Sequence, residues 1–77
     1  MARIQTLEVV SELVANVLTI DCAVGDKVAA GDAVVLLESM KMEIPVLAEH
    51  GGVVSAIKVT PGDVVQDGDV LVVIDVA

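Results

Sequence analysis

Short apolar or alternating runs fill the chain, separated by Gly-Asp pairs at Gly25-Asp26, Gly31-Asp32, Gly62-Asp63 and Gly68-Asp69. Apolar-polar alternation bounded by glycine and aspartate is the pattern of strands joined by tight turns. It predicts strands over residues 4–10, 14–21, 27–29, 34–39, 42–47, 53–59, 64–66 and 70–75. No segment holds a 3.6-residue period over three turns between caps, so helix has no support.

The pattern repeats. Sliding the sequence on itself by 37 residues lays Gly25-Asp26 and Gly31-Asp32 on Gly62-Asp63 and Gly68-Asp69, and carries Val17 and Ile20 onto Val54 and Ile57. Such self-similarity marks an internal duplication. The expectation is an all-β fold: two small sheets packed face to face, or a flattened β-barrel, each sheet four-stranded and the halves related by a quasi-two-fold axis. The same shift sends Met40-Lys41 to the C-terminus and just beyond it, so the hairpin there should stand opposite the paired chain ends.

Composition narrows the function. With 77 residues the chain has room for one domain, taken as residues 1–77, and none for a deep enclosed cleft, which points away from a self-sufficient enzyme. Phe, Tyr and Trp are absent and Val fills 18 positions, so the core must be built from small branched aliphatic side chains suited to sheets. A formal charge of −8 is the wrong sign for a phosphate backbone or an anionic membrane surface. The apolar runs, such as 34–37 and 70–74, are far too short to cross a bilayer as helices, and no apolar signal region follows Met1-Ala2-Arg3. The expected partners therefore exclude nucleic acid and membrane, and the expected location is cytoplasmic. Cys22, the sole cysteine, cannot form an internal disulfide and reads as a small core residue. His50 has no second histidine to share a metal with, and Asp67-Gly68-Asp69 lacks the spaced oxygen ligands of a calcium loop, so both read as loop residues with no metal site. No Ser/His/Asp set or phosphate-binding glycine loop is present, and no catalytic residue is assigned.

The hairpin Leu37-Glu38-Ser39-Met40-Lys41-Met42-Glu43-Ile44-Pro45-Val46 departs from ordinary turn chemistry. A solvated turn normally holds Gly, Asn, Asp or Pro, yet here two methionines flank a lysine. Exposed apolar side chains at a tip suggest recognition by a partner. Pro45, lacking an amide donor, belongs on an edge strand. Lys41 is one of three lysines, and the only one that the repeat places on an exposed apex.

These residues resemble the biotinyl and lipoyl attachment domains, specifically the biotin carboxyl carrier type. Glu38-Ser39-Met40-Lys41-Met42 is similar to the biotin attachment motif, and it sits between Val24-Gly25-Asp26-Lys27-Val28 with Gly31-Asp32 and Gly52-Val53-Val54 with Gly62-Asp63 and Gly68-Asp69. The likeness covers about residues 9–76. It implies a non-catalytic carrier in which Lys41 takes biotin as a covalent cofactor from a biotin protein ligase. It further implies shuttling of carboxylate between a biotin carboxylase and a carboxyltransferase, acyl-CoA carboxylase being the leading host. Acetyl-CoA as acceptor would place the chain in fatty acid biosynthesis. In this resemblance Met40 and Met42 flank the attachment lysine and read either as edge-packing residues or as ligase contacts. Ser39, where many biotin domains have Ala, lies inside the recognition motif, and Glu38 and Glu43 read equally as solubilising charges or as a docking element for the ligase.

The sequence departs from the family pattern before the second strand, where Ala15 stands in place of a common Gly and overlies Gly52 in the repeat. No inserted thumb is present, and Met1 with a chain ending just after the last strand fits a free-standing carrier. Two alternatives remain at this point. One is a lipoyl carrier of a 2-oxo acid dehydrogenase or the glycine cleavage system, in which an Asp usually stands where Met40 does. The other is an unmodified structural or assembly module of the same fold.

Overall fold

The computed structural model describes residues 5–76. Its strands are β1 (Gln5–Val10), β2 (Ala15–Ile20), β3 (Lys27–Val28), β4 (Ala33–Ser39), β5 (Met42–Leu47), β6 (Gly52–Ile57), β7 (Val64–Val65) and β8 (Val70–Val76). All eight expected strands are present, with ends that coincide or differ by no more than two residues; residue 4, included in the first expected strand, lies outside the described residues. They form two four-stranded antiparallel sheets, ordered β1-β8-β6-β3 and β5-β4-β2-β7.

The duplication is a structural symmetry. Adding 37 to β1, β2, β3 and β4 gives β5, β6, β7 and β8, and it exchanges the two sheets strand for strand. Irregularities repeat as well: the β2–β4 ladder shifts register between Val17 and Thr19, the β6–β8 ladder between Val54 and Ala56.

Four copies of one turn stitch the sheets together. In the first, the Asp26 amide donates to the Ala23 carbonyl at 3.0 Å, while an Asp26 carboxylate oxygen accepts the Ala23 amide at 2.9 Å. The repeat at Thr60–Asp63 has the same pair at 3.1 and 2.9 Å. Gly25 and Gly62 sit at φ +96, which a type II turn requires at its third residue and which a Cβ would disfavour. Their amides reach across to the other half, Gly25 to the Val54 carbonyl and Gly62 to the Val17 carbonyl, both at 2.8 Å. Asp32 and Asp69 close the other two turns in the same way, so within Asp67-Gly68-Asp69 the Asp69 carboxylate serves turn chemistry.

Val17, Val35 and Leu37 from one sheet meet Val54, Leu71, Val72 and Ile74 from the other to make the buried core. Each such side chain contributes on the order of 1.5–3 kcal/mol when withdrawn from water. Buried Ser11 satisfies itself locally, its hydroxyl donating to the Leu13 carbonyl at 2.6 Å and accepting the Leu13 amide at 3.3 Å.

Register fixes where the ends lie. Gln5 pairs with Val76 at one end, whereas Ser39 pairs with Met42 at the other, so the β4–β5 hairpin stands opposite the described chain ends. β5 is an edge strand, and counting from the turn places Pro45 opposite Leu36 in a non-hydrogen-bonded pair. Its nitrogen therefore faces outward, and the edge lacks a donor that another chain could pair with.

Candidate functional site

The hairpin tip is a two-residue connection with Met40 at φ +53 and Lys41 at φ +64. Positive φ at both central residues is the requirement of a type I′ turn, whose twist matches that of the flanking strands. Asn-Gly usually meets it; a methionine and a lysine in this region each cost about 1–2 kcal/mol. The structure thus holds two unsuited residues at its apex, a local conflict of the kind found at functional sites.

What the turn achieves is presentation. Lys41 is exposed at the apex, Met40 is 89% exposed and Met42 60% exposed. Two long unbranched apolar side chains thus flank a primary amine at a solvent-facing tip. Below them Glu38 and Glu43 face each other directly in the ladder, in the non-hydrogen-bonded pair where side chains come closest. Like charges directly opposite are unfavourable. Ser39 has a use within the fold: its hydroxyl donates to the Val14 carbonyl at 3.2 Å, tying the hairpin stem to the loop before β2. Sequence reasoning did not find this bond, because it joins residues whose proximity only the packing of the loop creates.

Ala15 opens β2, buried and paired with Val65, so the strand survives the loss of the glycine. Its repeat, Gly52, has no such latitude: a Cβ there would collide with the Asp75 carbonyl oxygen and lie 2.7 Å from an Ile74 methyl. Cys22 is half-buried and packs against the core rather than lying fully inside it. Burial pushes its thiol up from the ordinary value, and the nearby Asp26 and Asp21 carboxylates add to the effect. A raised thiol is a weak nucleophile at neutral pH. His50 is an exposed loop residue.

Among the tip residues Lys41 alone carries a nucleophilic nitrogen. An exposed amine on a stiff hairpin fits a covalently attached group that must swing out to reach separate sites, since such a group needs reach and not an enclosing pocket.

Comparison with known proteins agrees with this geometry. The family described as "Biotin-requiring enzyme" matches residues 7–74. A Mycobacterium leprae protein named biotinylated protein TB7.3 homolog is 54% identical over 67 residues, covering 87% of this chain and 94% of that protein. Among solved structures, Kluyveromyces lactis urea carboxylase superimposes with a TM-score of 0.86 at 38% identity, covering 91% of this chain and 6% of that one. A single-chain, multi-domain long-chain acyl-CoA carboxylase superimposes with a TM-score of 0.83 at 32% identity, over 88% of this chain and 7% of the other. The chain belongs to the biotin-requiring-enzyme family of biotinyl and lipoyl attachment domains.

Proposed function

We propose that this chain is a biotin carrier and that Lys41 is its attachment residue. The observation that carries the reading is the placement of Lys41, exposed at the apex of a type I′ hairpin between two exposed methionines, in a chain matched to the family from residue 7 to 74. In the attachment step a biotin protein ligase presents biotinyl adenylate. The neutral Lys41 Nζ attacks its acyl carbon, an amide bond forms, AMP leaves with the bonding pair, and the nitrogen gives up a proton to solvent. The chemistry supplied by the attached group is carboxyl transfer through its ureido ring.

The protein's own part is mechanical. A flexible lysine tether on a rigid hairpin raises the effective concentration of the reactive group at two separate enzymes without tight binding to either. The partners under this reading are the ligase, a biotin carboxylase and a carboxyltransferase. The similarity to a long-chain acyl-CoA carboxylase supports an acyl-CoA carboxylase as host, and the urea carboxylase likeness marks the competing host; acetyl-CoA as acceptor rests on the resemblance of the sequence alone. Met40 and Met42 provide exposed apolar surface on either side of Lys41 for a ligase pocket to grip, and Glu38 and Glu43 provide charge beneath it.

The test is incubation with ligase, biotin and ATP followed by intact mass and fragmentation. One biotinyl group on Lys41, and none in Lys41→Arg, is expected. An octanoyl or lipoyl group on the protein from its host, with no biotin, would move the chain to the lipoyl carriers, and no modification at all would favour the structural module.

A further inference from the structure

The two edge strands β1 and β5 border an open seam, and between them runs a groove of about 350 Å³. Its floor is aliphatic: Val9, Leu13, Ile44 and Val46, all packed against the core from the outside. Val10 and Leu47 stand on its walls with 37% and 48% of their surface exposed. Pro45 and three carboxylates, Glu8, Glu12 and Glu49, complete the lining, and among the described residues lining it none is Lys or Arg. The groove begins with Ile44, three residues from Lys41 and hence about 10 Å down the strand.

We infer that this groove docks a segment of a partner protein that alternates aliphatic and basic side chains. The aliphatic floor rewards apolar anchors with the burial of surface now partly wet, and the acidic lining selects their charge. The same charge rejects the other obvious occupant. A second copy of this chain would bring a further formal charge of −8 and its own Glu8, Glu12 and Glu49 against the first set. Backbone pairing along β5 is hindered where Pro45 faces the seam without a donor, so recognition falls to side chains. Because the groove lies on the flank and Lys41 at the tip, a partner seated there would hold the domain and leave the tip free. The inference does not depend on which group Lys41 carries, and its test leaves modification out.

The experiment uses the full chain, isotopically labelled, and a synthetic heptapeptide alternating lysine and valine. Saturable amide shift changes are expected at Val9, Val10, Leu13, Ile44, Val46 and Leu47. Affinity should fall at least tenfold in Glu8→Gln/Glu12→Gln/Glu49→Gln, fall again in Val10→Ser/Leu47→Ser, and stay unchanged in Lys41→Arg. All the substituted walls and carboxylates are exposed, so the variants keep their core. A peptide alternating glutamate and valine should not bind. Shift changes spread over the aspartate turns, an unaltered response in the glutamine variant, no saturable change, or sedimentation of the free chain as a dimer through this seam would overturn the inference.

Discussion

Replacing Met40-Lys41 with Asn-Gly should stabilise the protein while abolishing its modification. Both residues hold positive φ, at +53 and +64, in a turn for which Asn-Gly is the preferred pair. Relief of left-handed strain is worth about 1–2 kcal/mol per residue. Little is lost in exchange, because Met40 is 89% exposed and Lys41 exposed, so neither contributes much burial. Asparagine retains part of the left-handed cost, about 0.5–1 kcal/mol, and glycine returns about 0.5–1 kcal/mol to the unfolded chain as entropy. The net expectation is a gain of about 1–2 kcal/mol, against a whole-domain stability of roughly 4–12 kcal/mol at the usual value per residue. For a domain of this size that is a rise in Tm of about 5–15 °C. With no Phe, Tyr or Trp, fluorescence is of no use, and urea unfolding followed by far-ultraviolet circular dichroism is the assay. The m-value should not change, since the same surface is exposed on unfolding. A variant at or below wild-type stability with an unchanged m-value would refute the claim that the tip is strained.

Other perturbations follow from the same geometry. Gly52→Ala should cost about 2–3 kcal/mol or more in urea unfolding, because its Cβ meets the Asp75 backbone, whereas Ala15→Gly at the repeated position should cost only about 1 kcal/mol. Ser39→Ala removes the 3.2 Å bond to the Val14 carbonyl and should cost about 0.5–1 kcal/mol, with biotin uptake retained. Cys22 is raised in the folded state, so the unfolded chain loses its thiol proton first as pH climbs. Stability should therefore be level below the ordinary thiol value and decline above it, through the folded value, while Cys22→Ala lacks that decline in a pH series of urea melts.

The repeat of Gly-Asp pairs was enough to read the eight strands, the quasi-two-fold relation of the halves and the position of the hairpin opposite the chain ends, whereas the strand-for-strand exchange of the two sheets emerged only from the pairing. Each of the first three depends on local turn chemistry, and glycine with aspartate records it directly: Gly25 supplies the positive φ and Asp26 closes the turn, so the residues and the geometry coincide. Pro45 was legible for the same reason, since a missing amide donor belongs only on an edge. The tip was legible as an oddity, two methionines and a lysine where a turn should be, but its type I′ geometry was not, because Met40 and Lys41 are poor predictors of positive φ. Two features escaped entirely. The Ser39–Val14 bond and the acidic groove between β1 and β5 both arise from segments far apart in sequence that only the closure of the two sheets brings together.

The most direct measurement is the intact mass of the protein after incubation with biotin protein ligase, biotin and ATP, with fragmentation to place any added group. The account predicts one biotinyl group, on Lys41, at neither Lys27 nor Lys58, and none on Lys41→Arg. Uptake by Lys41→Arg, or a folded wild-type chain that remains unmodified, would contradict it.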